Sequence, residues 1–310
     1  MKVLPILSSS SELVKAVSDI AAMTSQSDTV KYRLRHIPDY HDSIDFLREG
    51  RPKLVLIDFT SGSINGFKIL DLMFADRHIS PHGIIAVCES RKTSKKLEAI
   101  PGANLIAIIL ESEIKDRLPP VLEIISKNHQ LVFQTVISLN LSENISGSFR
   151  VFNERTELEC CVNLVCNFLC NADLLTLENK YRLKVSLLEL LLNAVEHGNC
   201  HINFDEKNAW LESGRAIEDL IHIKCLDPHV ANKTVIFKYD INPTYSRFTI
   251  TDEGSGFDWR RFLKPEIKES SLRLHGRGIM LTKRLMEDLS YNEVGNEVSF
   301  KIGNRSVPKN

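Results

Sequence analysis

In the stretch "LLELLLNAVEHGN" (187–199), Glu189, Asn193, Glu196 and His197 interrupt a run of five leucines. On a helix, Glu189 and Asn193 lie four residues apart and share one edge, while the leucines at 187, 188, 190, 191 and 192 cover most of the remaining circumference. An unpaired carboxylate buried without water is costly. The polar edge therefore meets a wet cleft or a bound ion. An Asn carbonyl oxygen is a hard ligand that suits one vertex of an octahedral Mg²⁺, and a nearby Glu can take a proton from a hydroxyl or a water. A solvated helix face is the alternative reading of the same pattern. His197, next to Gly198, reads as a helix-end residue.

Two further stretches carry chemistry. In "FTITDEGSGFD" (248–258) a β-run ends at Asp252 and is followed by Gly254 and Gly256. A carboxylate at a strand end can accept a hydrogen bond from an exocyclic amine, and glycines let backbone approach a flat ring. An ordinary turn uses the same residue types. In "LHGRGIMLTKRLM" (274–286), Gly276 and Gly278 precede a helical pattern. Backbone amides at a glycine-rich helix start bind phosphate; a loop that merely opens a helix is the alternative.

Taken in order, Glu-x-x-x-Asn on a helix, Asp-x-Gly-x-Gly after a strand and Gly-x-Gly before a helix resemble the GHKL ATP-binding superfamily. That group contains histidine-kinase catalytic domains, gyrase-type ATPases and anti-sigma-factor serine kinases. The resemblance spans about residues 135–303. It implies ATP and Mg²⁺ as ligands, with Asn193 on the metal, Asp252 on the adenine amine, Gly254 and Gly256 shaping the adenine pocket, and Gly276, Arg277 and Gly278 along the phosphates. Glu189 matches the position of the general base in the serine kinases.

The wording "NAVEHGN", "DEGSGFDW" and "HGRGIMLTKRLMEDLSYNEVGNEV" looks most like the anti-sigma branch. The lid segment between Gly256 and Gly276 is short, and no phosphoacceptor helix precedes the domain; His129 in "ISKNHQ" has the wrong context. The resemblance thus implies transfer of a phosphoryl group to Ser or Thr of a small antagonist or sigma-factor-type partner. The alternatives are an ATP-gated partner-binding module without kinase activity and a two-component histidine-kinase relative. A polar insertion at about 200–232 departs from the family pattern.

These residues need elements to position them. Beyond residue 131, "LVFQTVISLNL" and "GSFRVFN" read as strands, and helices are expected at about 155–171 and 178–198. "KTVIFKYDI" and "RFTITDEG" read as an antiparallel pair, followed by a helix "GIMLTKRLMEDL" and a hairpin "SYNEVGNEVSFKI". Helices segregated from antiparallel strands indicate an α/β two-layer sandwich, the GHKL or Bergerat architecture by resemblance.

Before residue 120 the texture is different. "KVLPIL", "VKYRLRHI", "KLVLIDF", "GIIAVCE" and "NLIAIIL" read as strands alternating with helices, a doubly wound parallel sheet. Ser10 or Ser11 is a plausible cap for the first helix. "KLVLIDFTSGSINGFKILDLM" resembles the third strand and following loop of a response-regulator receiver, a flavodoxin-like domain, with Asp58 at the phosphoacceptor position and Asn65-Gly66 at the loop turn. The family's acidic pair is replaced by "SSSS" (Ser8–Ser11), its hydroxyl position reads Cys88, and Ile109 sits where a lysine belongs. Without those charges a phosphoryl group is poorly held. The expectation is a degenerate receiver used for docking or dimerisation, with Asp58 a possible phosphoacceptor only. The expected division is a receiver-like domain over 1–120, a linker helix over 121–134 containing part of "DRLPPVLEIISKNHQ", and a GHKL domain over 135–310.

The composition is that of an ordinary soluble globular protein. With 43% hydrophobic and 25% charged residues and a net charge of −1, no global field favours nucleic acid or an anionic membrane. The seven-residue apolar lead lacks a small-residue cleavage site, and no stretch approaches the ~20 apolar residues of a membrane span, so a cytoplasmic location is expected. Seven cysteines, four of them in "ECCVNLVCNFLCN" (159–171), contain no CxxC pair and read as buried free thiols.

Overall fold

The computed structural model describes residues 2–24, 32–60, 64–100, 102–133, 144–262 and 286–305. The chain forms two compact units, Met1–Val136 with Glu159–Ala172, and Ile137–Leu158 with Asp173–Asn310.

The first unit alternates β1 (Lys2–Leu7), α1 (Ser11–Thr24), β2 (Tyr32–Ile37), α2 (Tyr40–Gly50), β3 (Leu54–Asp58), α3 (Gly66–Ala75), β4 (Gly83–Cys88), α4 (Arg91–Glu98), β5 (Leu105–Leu110) and α5 (Ile114–Lys127). Its five strands are parallel in the order β2-β1-β3-β4-β5, the flavodoxin-like arrangement. Every residue of β3 and β4 is buried, as expected for strands covered on both faces. The helices start where side chains can accept the free amides: Ser10 Oγ accepts from Leu13 N, Asp39 from His41 N and Asp42 N, Asn65 from Lys68 N, and Ser90 from Thr93 N.

Two local expectations are corrected here. Gln130–Phe133 is a short helix, α6, rather than the start of a strand, and residues 134–143 of that reading lie outside the described residues. The Phe133 amide bonds back to His129 O, while His82 Nδ1 pairs with Val132 O at 2.9 Å. A short apolar run carries no period that separates helix from strand. The helix expected over 121–134 runs over Ile114–Lys127 as α5, so Pro119 and Pro120 lie inside it. The helix tolerates them because it buries Leu118, Val121, Leu122 and Ile125.

Helix α7 (Arg155–Asn171) is buried nearly all round from Cys160 to Leu169. Its residues from Glu159 onward belong to the first unit. Asn163, Asn167 and Asn171, spaced one turn apart, donate to Ile106 O, Leu105 O and His82 O at 3.0, 3.2 and 3.4 Å. All seven cysteines are free, and among the described residues no group of His, Cys, Asp and Glu could hold a metal ion.

The second unit contains β6 (Ile145–Val151), α8 (Leu177–Asn193), α9 (Phe204–Glu212), α10 (Ile217–Lys224), α11 (Pro228–Ala231), β7 (Val235–Ile241), β8 (Tyr245–Thr251), β9 (Glu287–Tyr291) and β10 (Glu297–Gly303). Its sheet is antiparallel in the order β6-β7-β8-β10-β9. Burial alternates along β7 and β8, so one face collects Phe149, Phe237, Tyr239, Phe248 and Phe300 as a core row. Each such aromatic contributes roughly 1.5–3 kcal/mol of burial. The fold is therefore α/β in both halves, a parallel sheet followed by an antiparallel sheet with helices. Residues 287–289, expected to close a helix over 278–289, instead belong to β9 and pair with β10; 278–285 lie outside the described residues. No helix among the described residues is long and apolar enough to cross a membrane.

Candidate functional site

Helix α8 starts at Thr176, whose hydroxyl accepts from Asn179 N at 3.1 Å. Leu183, Leu187, Leu190 and Leu191 form its buried face. Glu189 and Asn193 occupy the half-buried edge between that face and solvent. Among the described residues neither side chain makes a hydrogen bond or an ion pair.

The helix does not stop at Asn193. It widens into a π-helical turn over Ala194–Asn199, in which Cys200 N bonds to Val195 O and Ile202 N to Glu196 O, both at 2.8 Å. Such a turn holds one extra residue and redirects the chain end. Here it swings Gly198 against the end of β8. A Cβ on Gly198 would overlap the Asp252 carboxyl, and a Cβ on Gly254 would stand 2.5 Å from Gly198 O. The two sequence boxes thus meet backbone to backbone, and only glycine fits on either side.

Asn199, fully buried, fastens the joint. Its Oδ1 accepts from Glu253 N at 2.9 Å and its Nδ2 donates to Asn153 Oδ1 at 2.9 Å. Glu253 in turn accepts from Thr234 N and Oγ1 at 2.9 and 2.8 Å.

Asp252 accepts from Gly254 N through Oδ1 at 2.8 Å. Its backbone is paired on both sides with Asn296, N to O at 3.0 Å and Nδ2 to O at 3.2 Å. Desolvation pushes its carboxyl up to about 6, against the opposing pull of the Gly254 amide and the Lys233 ammonium. Oδ2 has no protein partner among the described residues. A half-buried carboxylate with one free oxygen suits an exocyclic amine donor. Gly256 has φ +76° and sits against Val294 O, where a Cβ would overlap. Trp259 Nε1 donates to Asn292 O at 2.8 Å, and Asn292 Oδ1 accepts from Gly295 N at 2.7 Å. The loop after Asp252 is thereby held on the β9–β10 turn.

Of the expected site residues, the structure places Glu189 and Asn193 on one helix edge and Asp252, Gly254 and Gly256 in the loop that its continuation touches. Gly276, Arg277 and Gly278 lie outside the described residues. Reading the sequence missed Gly198, Asn199 and Glu196. The available signal was the "HGN" triplet, a glycine flanked by polar residues where a leucine helix ends.

Asp58 lies at the end of β3 in the first unit. It is fully buried. Oδ2 accepts from Ser8 Oγ at 2.6 Å, and Oδ1 accepts from Thr60 N at 2.9 Å and Thr60 Oγ1 at 2.7 Å. Ser8 comes from the segment that follows β1, so this pair seals the switch point between β1 and β3 where open α/β sheets bind ligands.

The site is thus an Asn and a Glu on one half-buried helix edge, joined to an Asp-x-Gly-x-Gly loop over an antiparallel sheet. Residues 162–302 match the family model of the histidine kinase-like ATPase domain. That match supports an ATP-binding, kinase-like role for this part of the chain. No curated protein matches the chain.

Proposed function

We propose that the protein binds ATP with Mg²⁺ in the second unit and phosphorylates Ser or Thr of a small antagonist or sigma-factor-type partner. The first unit serves as a degenerate receiver for docking or dimerisation, in a cytoplasmic signalling protein. The observation that carries the reading is the joint of Gly198 with Asp252 and Gly254. It brings one continuous helix, bearing Glu189 and Asn193, to the Asp252 loop.

The free groups fit the ligand. Asn193 would take one vertex of the metal, and Asp252 Oδ2 the adenine amine. The metal would neutralise charge on the phosphate oxygens. Glu189 would accept the hydroxyl proton as the partner oxygen bonds the γ-phosphorus and the bond to the β–γ bridging oxygen breaks, leaving ADP. Positioning supplies most of the effect, since half-buried acids and amides are already oriented by α8. The Ser8 and Thr60 hydrogen bonds that occupy Asp58 support a receiver that does not accept phosphate.

Incubation with Mg²⁺ and γ-labelled ATP alongside candidate small antagonist proteins tests the reading. Acid-stable label on the partner is expected, lost in Glu189→Gln while nucleotide binding is kept. ATP binding without transfer would replace the kinase with an ATP-gated binding module. Acid-labile label would move the activity to histidine or aspartate.

A further inference from the structure

The insertion at 200–232 has a physical link to the nucleotide site. Within the π-helical turn, Glu196 is only 2% exposed, and Lys207 Nζ bonds its Oε2 at 2.5 Å. Lys207 lies on α9, the first helix of the insertion. That helix is capped by Asn203, which accepts from Glu206 N at 2.9 Å, and is tied to α10 by the Lys224–Glu206 pair at 2.8 Å. Trp210 Nε1 closes the α9–α10 link on Ala216 O at 2.8 Å, with the Arg215 guanidinium stacked 3.6 Å from its ring. The cation therefore arrives on a braced helix.

We propose that Lys207 is a positioning residue for the nucleotide site, holding the buried Glu196 carboxylate and with it the turn between Asn193 and Gly198. The inference rests on the nucleotide-binding reading of that site. A carboxylate this deep cannot be solvated in place, and removing the Lys207 cation that pairs with it leaves an uncompensated buried charge. Glu196 can regain water only by drawing its backbone outward. The Ile202 amide is bonded to that same backbone, at Glu196 O. Two residues further on, Gly198 has no slack against Asp252 and Gly254. Displacing Glu196 thus opens the joint and turns the Asn193 edge away from the Asp252 loop. The insertion acts as an internal brace that sets the site's geometry from outside it.

The test uses the full chain and the Mg²⁺ complex of a fluorescent ATP analogue, well below the unfolding temperature. Lys207→Met is expected to weaken binding by about tenfold, or ~1.4 kcal/mol. Lys207→Arg should stay within about threefold of wild type, because the cation is kept. The double variant Glu196→Gln/Lys207→Met removes both charges together and should recover most of the loss, since an unpaired buried charge costs more than an absent pair; it also covers the case in which Lys207→Met does not fold. Arg155→Met breaks an exposed pair with Glu218 of the same insertion, outside the α9 brace, and should bind normally. Wild-type affinity in Lys207→Met, or an equal loss in Arg155→Met, would overturn the proposal. Amide exchange at Cys200 and Ile202 without nucleotide reads the turn directly. It should speed up in Lys207→Met and slow again in the double variant; unchanged exchange also overturns the brace. If wild type binds no nucleotide while exchange responds as expected, the brace stands and the nucleotide reading falls.

Discussion

Replacing Asp252 by Asn separates the stability of the site from its function. The Asp252 carboxyl titrates at about 6 in the folded protein, against an ordinary value of 3.8, because burial disfavours its charge. The folded state thus holds this proton more tightly than the unfolded chain does. Its contribution favours folding while both states are protonated, and is lost as pH rises from about 4 through about 6. The displacement corresponds to at most ~3 kcal/mol, and solvent screening of a half-buried group brings it to on the order of 1–2 kcal/mol. Asn keeps an Oδ1 to accept from Gly254 N, which bonds at 2.8 Å, and does not titrate. Asp252→Asn should therefore match wild type near pH 4 and exceed it by that 1–2 kcal/mol at pH 7.5. Urea unfolding at the two pH values measures the difference. Binding moves the other way. The variant presents an Nδ2 donor where the adenine amine also donates, losing a charge-assisted hydrogen bond of about 1.5–3 kcal/mol, roughly ten- to a hundredfold in affinity. A 6-oxo purine nucleotide, with an acceptor at that place, should lose less. Parallel pH curves for the two proteins would refute the desolvated carboxyl. Unchanged ATP affinity would refute its adenine contact.

Three further substitutions test the remaining assignments. Asn193→Ala should leave stability within about 0.5 kcal/mol, since its side chain makes no hydrogen bond among the described residues, and abolish the Mg²⁺-dependent part of ATP affinity; titration with and without metal decides. Gly198→Ala places a methyl group in the Asp252 carboxyl and should cost about 1–3 kcal/mol in unfolding experiments, together with weaker nucleotide binding; an unchanged midpoint would mean the turn does not close on Asp252. Asp58→Ala strands the Ser8 and Thr60 donors that now bond at 2.6 and 2.7 Å and should destabilise by about 1–3 kcal/mol per orphaned group. Wild type treated with a small acyl phosphate should gain no label at Asp58, and covalent phosphate there, seen by mass spectrometry, would reinstate it as an acceptor.

The strands of both sheets were legible because burial writes itself into sequence as a period. Continuous runs such as "KLVLIDF" belong to strands covered on both faces, and alternating runs such as "KTVIFKYDI" to strands covered on one. The edge of α8 was legible for the same reason, since polar residues inside a leucine run must face something other than core. Gln130–Phe133 was misread because an apolar run as short as Leu131–Phe133 carries no period. The bulge of α8 into a π-turn was invisible, because an extra residue in a helix is decided by what the far end must touch.

By itself the sequence determined which residue types stand at the ends of which elements: a carboxylate and an amide on one helix edge, and an acid before two glycines. These follow from local spacing and hold whatever the distant contacts are. Only the tertiary structure decided that Gly198 meets Asp252, that Asn199 ties Glu253 to Asn153, and that Lys207 neutralises Glu196. It also decided that Ser8 and Thr60 occupy Asp58. Each of the first three joins an element to one brought beside it by folding, and the last pins the end of β1 to the end of β3. Burial then sets the worth of each contact, because a charge or amide removed from water must find its partner in whatever the fold places there.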